Sequence, residues 1–246
     1  MKIINRQKRL RLNSGLWIAF LIASLPVFIS CGDNHESAGK SSLPEHAESF
    51  TFFDLGKTIE LTNGVRGDLK DRLGRDAIER RSILDLEINY RGFLKKYFPE
   101  IDALNQKLNS PLGERVEHKT VKLMYRYAQE KNVPFNLVEL VFSDYTKTPV
   151  LFKINFKVDE ANTVATLQEK YGLPQTIEWG ESNGKSLYWE KNGDFLVASR
   201  IPDRFGNIEH QIVIYFIGNL KQLIETELKE KEARERQRAK TGKKAF

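Results

Sequence analysis

Residues 135–158, FNLVELVFSDYTKTPVLFKINFKV, decide the fold, because here apolar side chains recur every second residue rather than every third or fourth. Phe135 to Tyr145 is apolar on both sides, as a central strand would be, while Val150, Phe152, Ile154, Phe156 and Val158 alternate with Lys153, Asn155 and Lys157. The pattern predicts a hairpin turning at Thr146-Lys147-Thr148-Pro149, its second strand wet on one face.

Downstream, Glu160 to Tyr171 reads as a helix that buries Val164, Leu167 and Tyr171 and is stopped by Gly172 and Pro174. Strands are expected near Thr176–Trp179, Ser186–Lys191, Asp194–Ile201 and Ile208–Ile217. Asn192-Gly193 marks a type I′ turn between two of them. The order is ββαββββ, an antiparallel sheet with a helix packed on one face. Leu220, Leu223, Ile224 and Leu228 would dock a C-terminal helix on that sheet. KEKEARERQRAKTGKK, from Lys229 to Lys244, reads as a solvated charged helix or tail.

Upstream the spacing is helical. Phe50, Phe52, Phe53 and Leu55 lead into a short strand-like Thr58-Ile59-Glu60-Leu61, and Thr62 or Asn63 can cap a helix carrying Val65, Leu69, Leu73 and Ala77. A second helix is expected over Ser82–Phe98, with Ile83, Leu86, Tyr90, Phe93, Leu94 and Tyr97 on one side. A third begins at Pro99 with Ile101, Leu104 and Leu108 inward. A fourth covers Glu114–Lys131 through Val116, Thr120, Leu123, Met124 and Tyr127. The expected fold class is therefore α+β: a mainly helical region 50–131, an antiparallel α+β domain 132–218 and a charged C-terminal segment 219–246.

The chain opens differently. Residues 1–15 carry Lys2, Arg6, Lys8, Arg9 and Arg11 with no acid, and the apolar run LWIAFLIASLPVFISC ends on Cys31, the one cysteine present. Charge followed by a short apolar run is the layout of a secretory signal, and Pro26 interrupts a run already shorter than the about twenty residues a membrane span needs. Val27-Phe28-Ile29-Ser30-Cys31-Gly32 resembles the lipobox of bacterial lipoproteins, departing from its commonest form at Phe28 and Ile29. The resemblance implies removal of residues 1–30, lipidation of Cys31 and a membrane anchor. Gly32 after the cysteine implies the outer membrane, facing the periplasm. Residues 31–49, polar, Ser-rich and aperiodic, read as a flexible tether.

Charge then excludes a function class. The formal net charge is +6, but five of the 39 basic residues lie in residues 1–30, and the remaining 34 nearly balance 33 acidic residues. Nine basic residues are concentrated after Asn219, so the body offers no basic face for nucleic acid. A single cysteine allows no disulfide within one chain and no thiolate metal site. No cofactor is expected.

Several motifs suggest chemistry and fall short of it. Gly180-Glu181-Ser182-Asn183-Gly184, with Asp194 or Asp203 and then His210, follows the chain order of an α/β-hydrolase triad, yet strand and hairpin rather than helix follow the serine. Gly180–Ser186 also lacks the first glycine of a phosphate-binding loop, with Trp179 in its place. Glu114 and His118, four apart on a predicted helix, read as an ion pair, and His35 and His46 as tether residues. Trp179, Tyr188, Trp189 and Tyr215, on neighbouring predicted strands, are the candidate binding patch wherever the core leaves them exposed.

Val164 to Tyr215, an amphipathic helix ending Tyr171-Gly172-Leu173-Pro174 and then a meander with Trp189 in its middle, resembles small SmpA/OmlA-type outer-membrane lipoproteins. Gly172 and Pro174 match that family's Gly and Pro; Tyr171 departs from it. The resemblance implies a role at the outer membrane. The expectation is a non-enzymatic, lipid-anchored envelope protein binding a protein or envelope component. A periplasmic hydrolase using Ser182 and His210, or a small-ligand-binding module, are the other classes.

Overall fold

The computed structural model describes residues 49–110, 112–127, 134–156, 160–180, 184–202 and 208–245. The signal and lipobox with Cys31, nearly all of the predicted tether, Ser182 and Asp203 lie outside the described residues. All described residues belong to one compact unit.

The hairpin read from residues 135–158 is there, as β3 (Phe135–Ser143) and β4 (Pro149–Phe156). It sits at the middle of an eight-stranded antiparallel sheet. β1 (Ala77–Ser82) and β2 (His118–Arg126) precede it, and β5 (Gln175–Trp179), β6 (Gly184–Lys191), β7 (Asp194–Pro202) and β8 (Ile208–Tyr215) follow. The order β1-β2-β3-β4-β8-β7-β6-β5 is two four-stranded meanders joined where β4 pairs β8, Leu151 facing Tyr215 and Phe156 facing His210. A two-fold axis normal to the sheet between β4 and β8 would generate this order.

Each meander has a helix ahead of it, and both helices lie on one face. α1 (Asn63–Leu73) is capped by Thr62, whose Oγ1 accepts from Val65 N, and buries Leu69 and Leu73. α4 (Glu160–Tyr171) packs Val164, Leu167 and Tyr171 against the same core, built from Leu123, Val138, Leu140, Phe152, Trp189, Leu196 and Ile214. The opposite face is covered by α2 (Phe93–Tyr97), α3 (Pro99–Leu108) and the start of α5 (Ile217–Ala245), over Val141, Leu151, Val197, Val213 and Tyr215. Alternation along each strand supplies both cores. The one-face helix expected from the sequence is thus part of an α+β molecule with helices on both faces.

The sequence reading of 62–131 as helical is corrected in three places, the first being that α1 ends at Leu73 and Ala77, expected on its apolar stripe, opens β1. The described part of the expected fourth helix, residues 114–127, is not helical: β2 buries Val121, Leu123 and Tyr125, with Tyr127 just beyond it, every second residue, and pairs β3 from Thr120–Ser143 to Arg126–Leu137. Thr, Val and Tyr at these positions are strand formers, and Met124 on the other face imitates a helical spacing. Residues 82–92 are not helical either, and within 82–98 only the five residues of α2 are helix. β1 is an edge strand whose Glu79, Arg80 and Arg81 are typical edge charges, with positive φ at Arg81 where the register shifts. Consequently the boundary drawn between 131 and 132 falls between two paired strands of one sheet. Thr58–Leu61 is irregular, and Ser49, assigned to the tether, is buried in the body.

Other readings hold. Asn192 and Gly193 take φ of 51° and 76°, the left-handed pair that a type I′ turn requires. Leu220 and Leu223 of α5 are buried, whereas Leu228 is 55% exposed, so docking ends a turn earlier than the apolar spacing suggested. Glu227 and Glu230 fasten the helix there: Glu227 Oε1 accepts from Lys119 N at 2.7 Å, and Lys119 Nζ pairs with Glu230 at 2.8 Å. From Lys231 to Thr241 every residue is exposed. Among the described residues no helix is long and apolar enough to cross a membrane.

Candidate functional site

Residues 83–92, ILDLEINYRG, leave β1 as a strap across the second face of the sheet, irregular and without ladder partners over 83–88 and then turning at 89–92, where Asn89 and Gly92 take positive φ. Leu84, Leu86 and Ile88 are buried, while Asp85 between them is exposed and Glu87 and Asn89 are half-buried. The strap belongs to no strand ladder, so its backbone polar groups need other partners. Side chains supply them. Leu86 N donates to Asn105 Oδ1 at 2.9 Å, and Tyr215 Oη donates to Leu86 O at 2.8 Å. Asn109 Nδ2 donates to Leu84 O, and Lys153 Nζ to Asp85 O at 2.8 Å.

α3 forms the facing wall. Its Ile101, Leu104 and Leu108 are buried, which turns Asp102, Asn105, Gln106 and Asn109 outward at i, i+3, i+4 and i+7. Between strap and helix lies an open cleft of about 990 Å³ lined by Asp85, Glu87, Asn89, Tyr90 and Arg91 of the strap, those four α3 residues, and Gln211 and Ile201 of the sheet. Three carboxylates face one guanidinium, so the cleft is electronegative.

Its charges are perturbed in directions that geometry explains. Burial, and then the neighbouring Asp85 and Asp102, raise the Glu87 carboxyl above its ordinary value, although Gly92 N donates to Glu87 Oε1 at 3.2 Å and opposes the shift. Burial pushes the Lys153 ammonium down, against the pull of Asp85 and Glu139. The folded state therefore favours protonated Glu87. Its contribution supports folding below the unfolded-state value and is lost as pH rises through the folded-state value. Glu87→Gln should raise the melting temperature at pH 7, with the difference from wild type closing near pH 4; an equal or lower melting temperature at pH 7 would contradict the shift.

At one end the cleft meets aromatic rings. Tyr90 lies 5.4 Å from Trp179 between centroids, and Trp179 lies 5.9 Å from Phe93. Trp179 Nε1 donates to Ser186 Oγ at 2.9 Å, the same oxygen that accepts from Asn89 Nδ2 at 3.0 Å, and Ser186 Oγ lies 2.9 Å from Ser199 Oγ. Gly184, opposite Trp179 in the ladder, allows this: an added Cβ would stand 2.5 Å from the indole ring.

No protein family model, no characterised protein and no solved structure matches this chain. The reading of the cleft rests on its own geometry.

The residues singled out in the sequence are distributed differently from a single patch. Trp179 and Tyr188 lie half-buried on the second face, Tyr188 against Phe98 with its hydroxyl on Gln175. Trp189 is buried on the opposite face, where its Nε1 donates to Gly172 O at 2.8 Å. Tyr215 is fully buried and holds the strap, its hydroxyl pushed well above the ordinary value by burial, then by Glu87 and Asp85. Only Trp179 borders the cleft. Asp194 and His210 do not meet: β7 pairs Arg200 with His210, six residues along from Asp194, or about 20 Å at strand rise. His118 pairs with Glu227 rather than Glu114, at 2.7 Å, and Nε2 donates to Leu108 O. Among the described residues no three His, Cys, Asp or Glu side chains gather so as to hold a metal ion. The strap and α3 polar residues were missed because the strap was read as a helix.

Proposed function

We propose that this chain is a lipid-anchored, non-enzymatic cell-envelope protein that holds a binding module at a membrane surface through Cys31. Its partner, a protein or other envelope component, is bound in the cleft between strap and α3. The cleft carries this reading: a concavity of about 990 Å³, near the upper end of the about 300–1,000 Å³ found for ligand sites, lined by convergent polar groups and one perturbed carboxyl. The membrane side of the proposal is supported by the charged and then apolar residues 1–30, by the lipobox resemblance at Cys31, and by the polar residues between Cys31 and the body. An acylated cysteine gains about 0.8 kcal/mol per buried CH₂, so several chains would make a durable tether.

Site-specific photocrosslinking in intact cells tests it. A crosslinker at Gln106, on the cleft rim, should give a discrete adduct, whereas one at Lys170 on α4 of the opposite face should give none. Equal yields from both positions, or none from Gln106, would contradict the assignment.

A further inference from the structure

We infer that the cleft recognises a saccharide, a neutral or amino-sugar chain; this rests on the cleft being the binding site proposed above. The ligand chemistry follows from what the walls offer and what they refuse. Hydroxyl groups are donors and acceptors at once, so a hydroxyl-rich ligand needs a wall that is both. This wall is: Asn105, Gln106, Asn109 and Gln211 are amides, Asp85 and Asp102 accept, and the guanidinium of Arg91 donates.

Much of that capacity is unspent. Gln106 Nε2 donates to Asp102 Oδ2 and Asn109 Nδ2 to Asn105, but Gln106 Oε1, Asn109 Oδ1 and the Arg91 guanidinium have no partner among the described residues. These groups sit on a fixed frame, because the same Asn105 and Asn109 side chains pin the strap backbone. Tyr90, 38% exposed and braced by Trp179, presents an aromatic face of the kind on which the apolar C–H side of a sugar ring can rest.

Other ligand classes fit worse. A phosphate or other anion would meet three carboxylates and a single guanidinium. An acyl chain would bury polar groups that it cannot satisfy. An open cleft of about 990 Å³ also suits a chain of rings better than one small molecule.

The test is binding of the purified full chain to an array of neutral, N-acetylamino and acidic saccharides, with chitotriose, maltotriose and trigalacturonate titrated against tryptophan fluorescence. Retention of a neutral or N-acetylamino saccharide is expected, and Asp102→Ala with Gln106→Ala should weaken it at least tenfold. Both residues face outward on α3 and neither holds the strap, so the melting temperature should not fall. Retention of no saccharide, of acidic ones alone, or with equal affinity by the double variant overturns the inference. An empty array together with a non-saccharide adduct from Gln106 in cells would remove the saccharide and leave the binding module standing.

Discussion

Asp194→Ala should cost about 4 kcal/mol of folding stability, the largest effect expected of any single substitution outside the apolar cores. Asp194 is fully buried at the first position of β7, directly after the Asn192-Gly193 turn. Its carboxylate ties together three separate segments. Ser49 Oγ donates to Oδ2 at 2.6 Å, Lys57 Nζ lies 3.1 Å from Oδ2, and Ile217 N donates to Oδ1 at 2.9 Å. The last bond makes a strand residue the cap of α5, meeting a backbone donor that the helix itself cannot satisfy.

Breaking a buried pair by removing one partner costs about 3–5 kcal/mol, and each buried donor left unmet adds about 1–3 kcal/mol. Lys57 keeps a quarter of its side chain exposed and can turn to water, which moderates the total. Against a whole-domain stability of about 5–15 kcal/mol the loss is large. Denaturant unfolding should show a midpoint well below wild type. A difference under about 1 kcal/mol would mean that the three segments are held by apolar packing alone.

Leu86→Ala is the second large effect, and it separates the site from the scaffold. Leu86 is fully buried beneath the strap, and truncating a buried leucine costs about 2–5 kcal/mol. The strap has no ladder to fall back on, being held by Leu84, Leu86 and Ile88 and by four side-chain hydrogen bonds to its backbone. The damage should therefore stay local. Hydrogen exchange should show lost protection at Leu86 N, and saccharide binding should vanish, while amides of β3, β4 and β8 remain protected. Loss of protection throughout the sheet would show that the strap is part of the cooperative core instead.

The strap also explains which parts of the molecule the sequence disclosed. α1, α3, α4 and the strands from Phe135 onward were legible because each has a clean period and a marked end: Thr62 as cap, Pro99 at a first turn, Gly172 after a last one, Asn192-Gly193 between strands. β2 was not legible, since Thr120, Leu123, Met124 and Tyr127 fall at helical spacing, and only Val121 and Tyr125, with the pairing to β3, show the period of two. β1 is mostly exposed and has no apolar face to reveal it.

The cleft depended on those errors. On a helix over 82–98, Asp85, Glu87, Asn89 and Arg91 would point in different directions, whereas the non-helical run 83–88 and the turn at 89–92 bring all four to the cleft wall. Of the four aromatic residues in the candidate patch, Trp189 and Tyr215 are core, as large aromatic residues in central strands usually are, and Trp179 alone reaches the site's edge. Joining the two meanders at β4 and β8 needed contacts between residues far apart in sequence, such as Leu151 with Tyr215, which no local pattern contains.

The proposed tether is tested most directly by the mass of the N-terminal peptide of the protein isolated from membranes of its native host. The peptide should begin at Cys31 and carry the added mass of acyl chains, and Cys31→Ala should move the protein from the detergent phase to the aqueous phase. A peptide beginning elsewhere, or Cys31 with a bare thiol, would contradict the anchor and with it the placement of the cleft at a membrane surface.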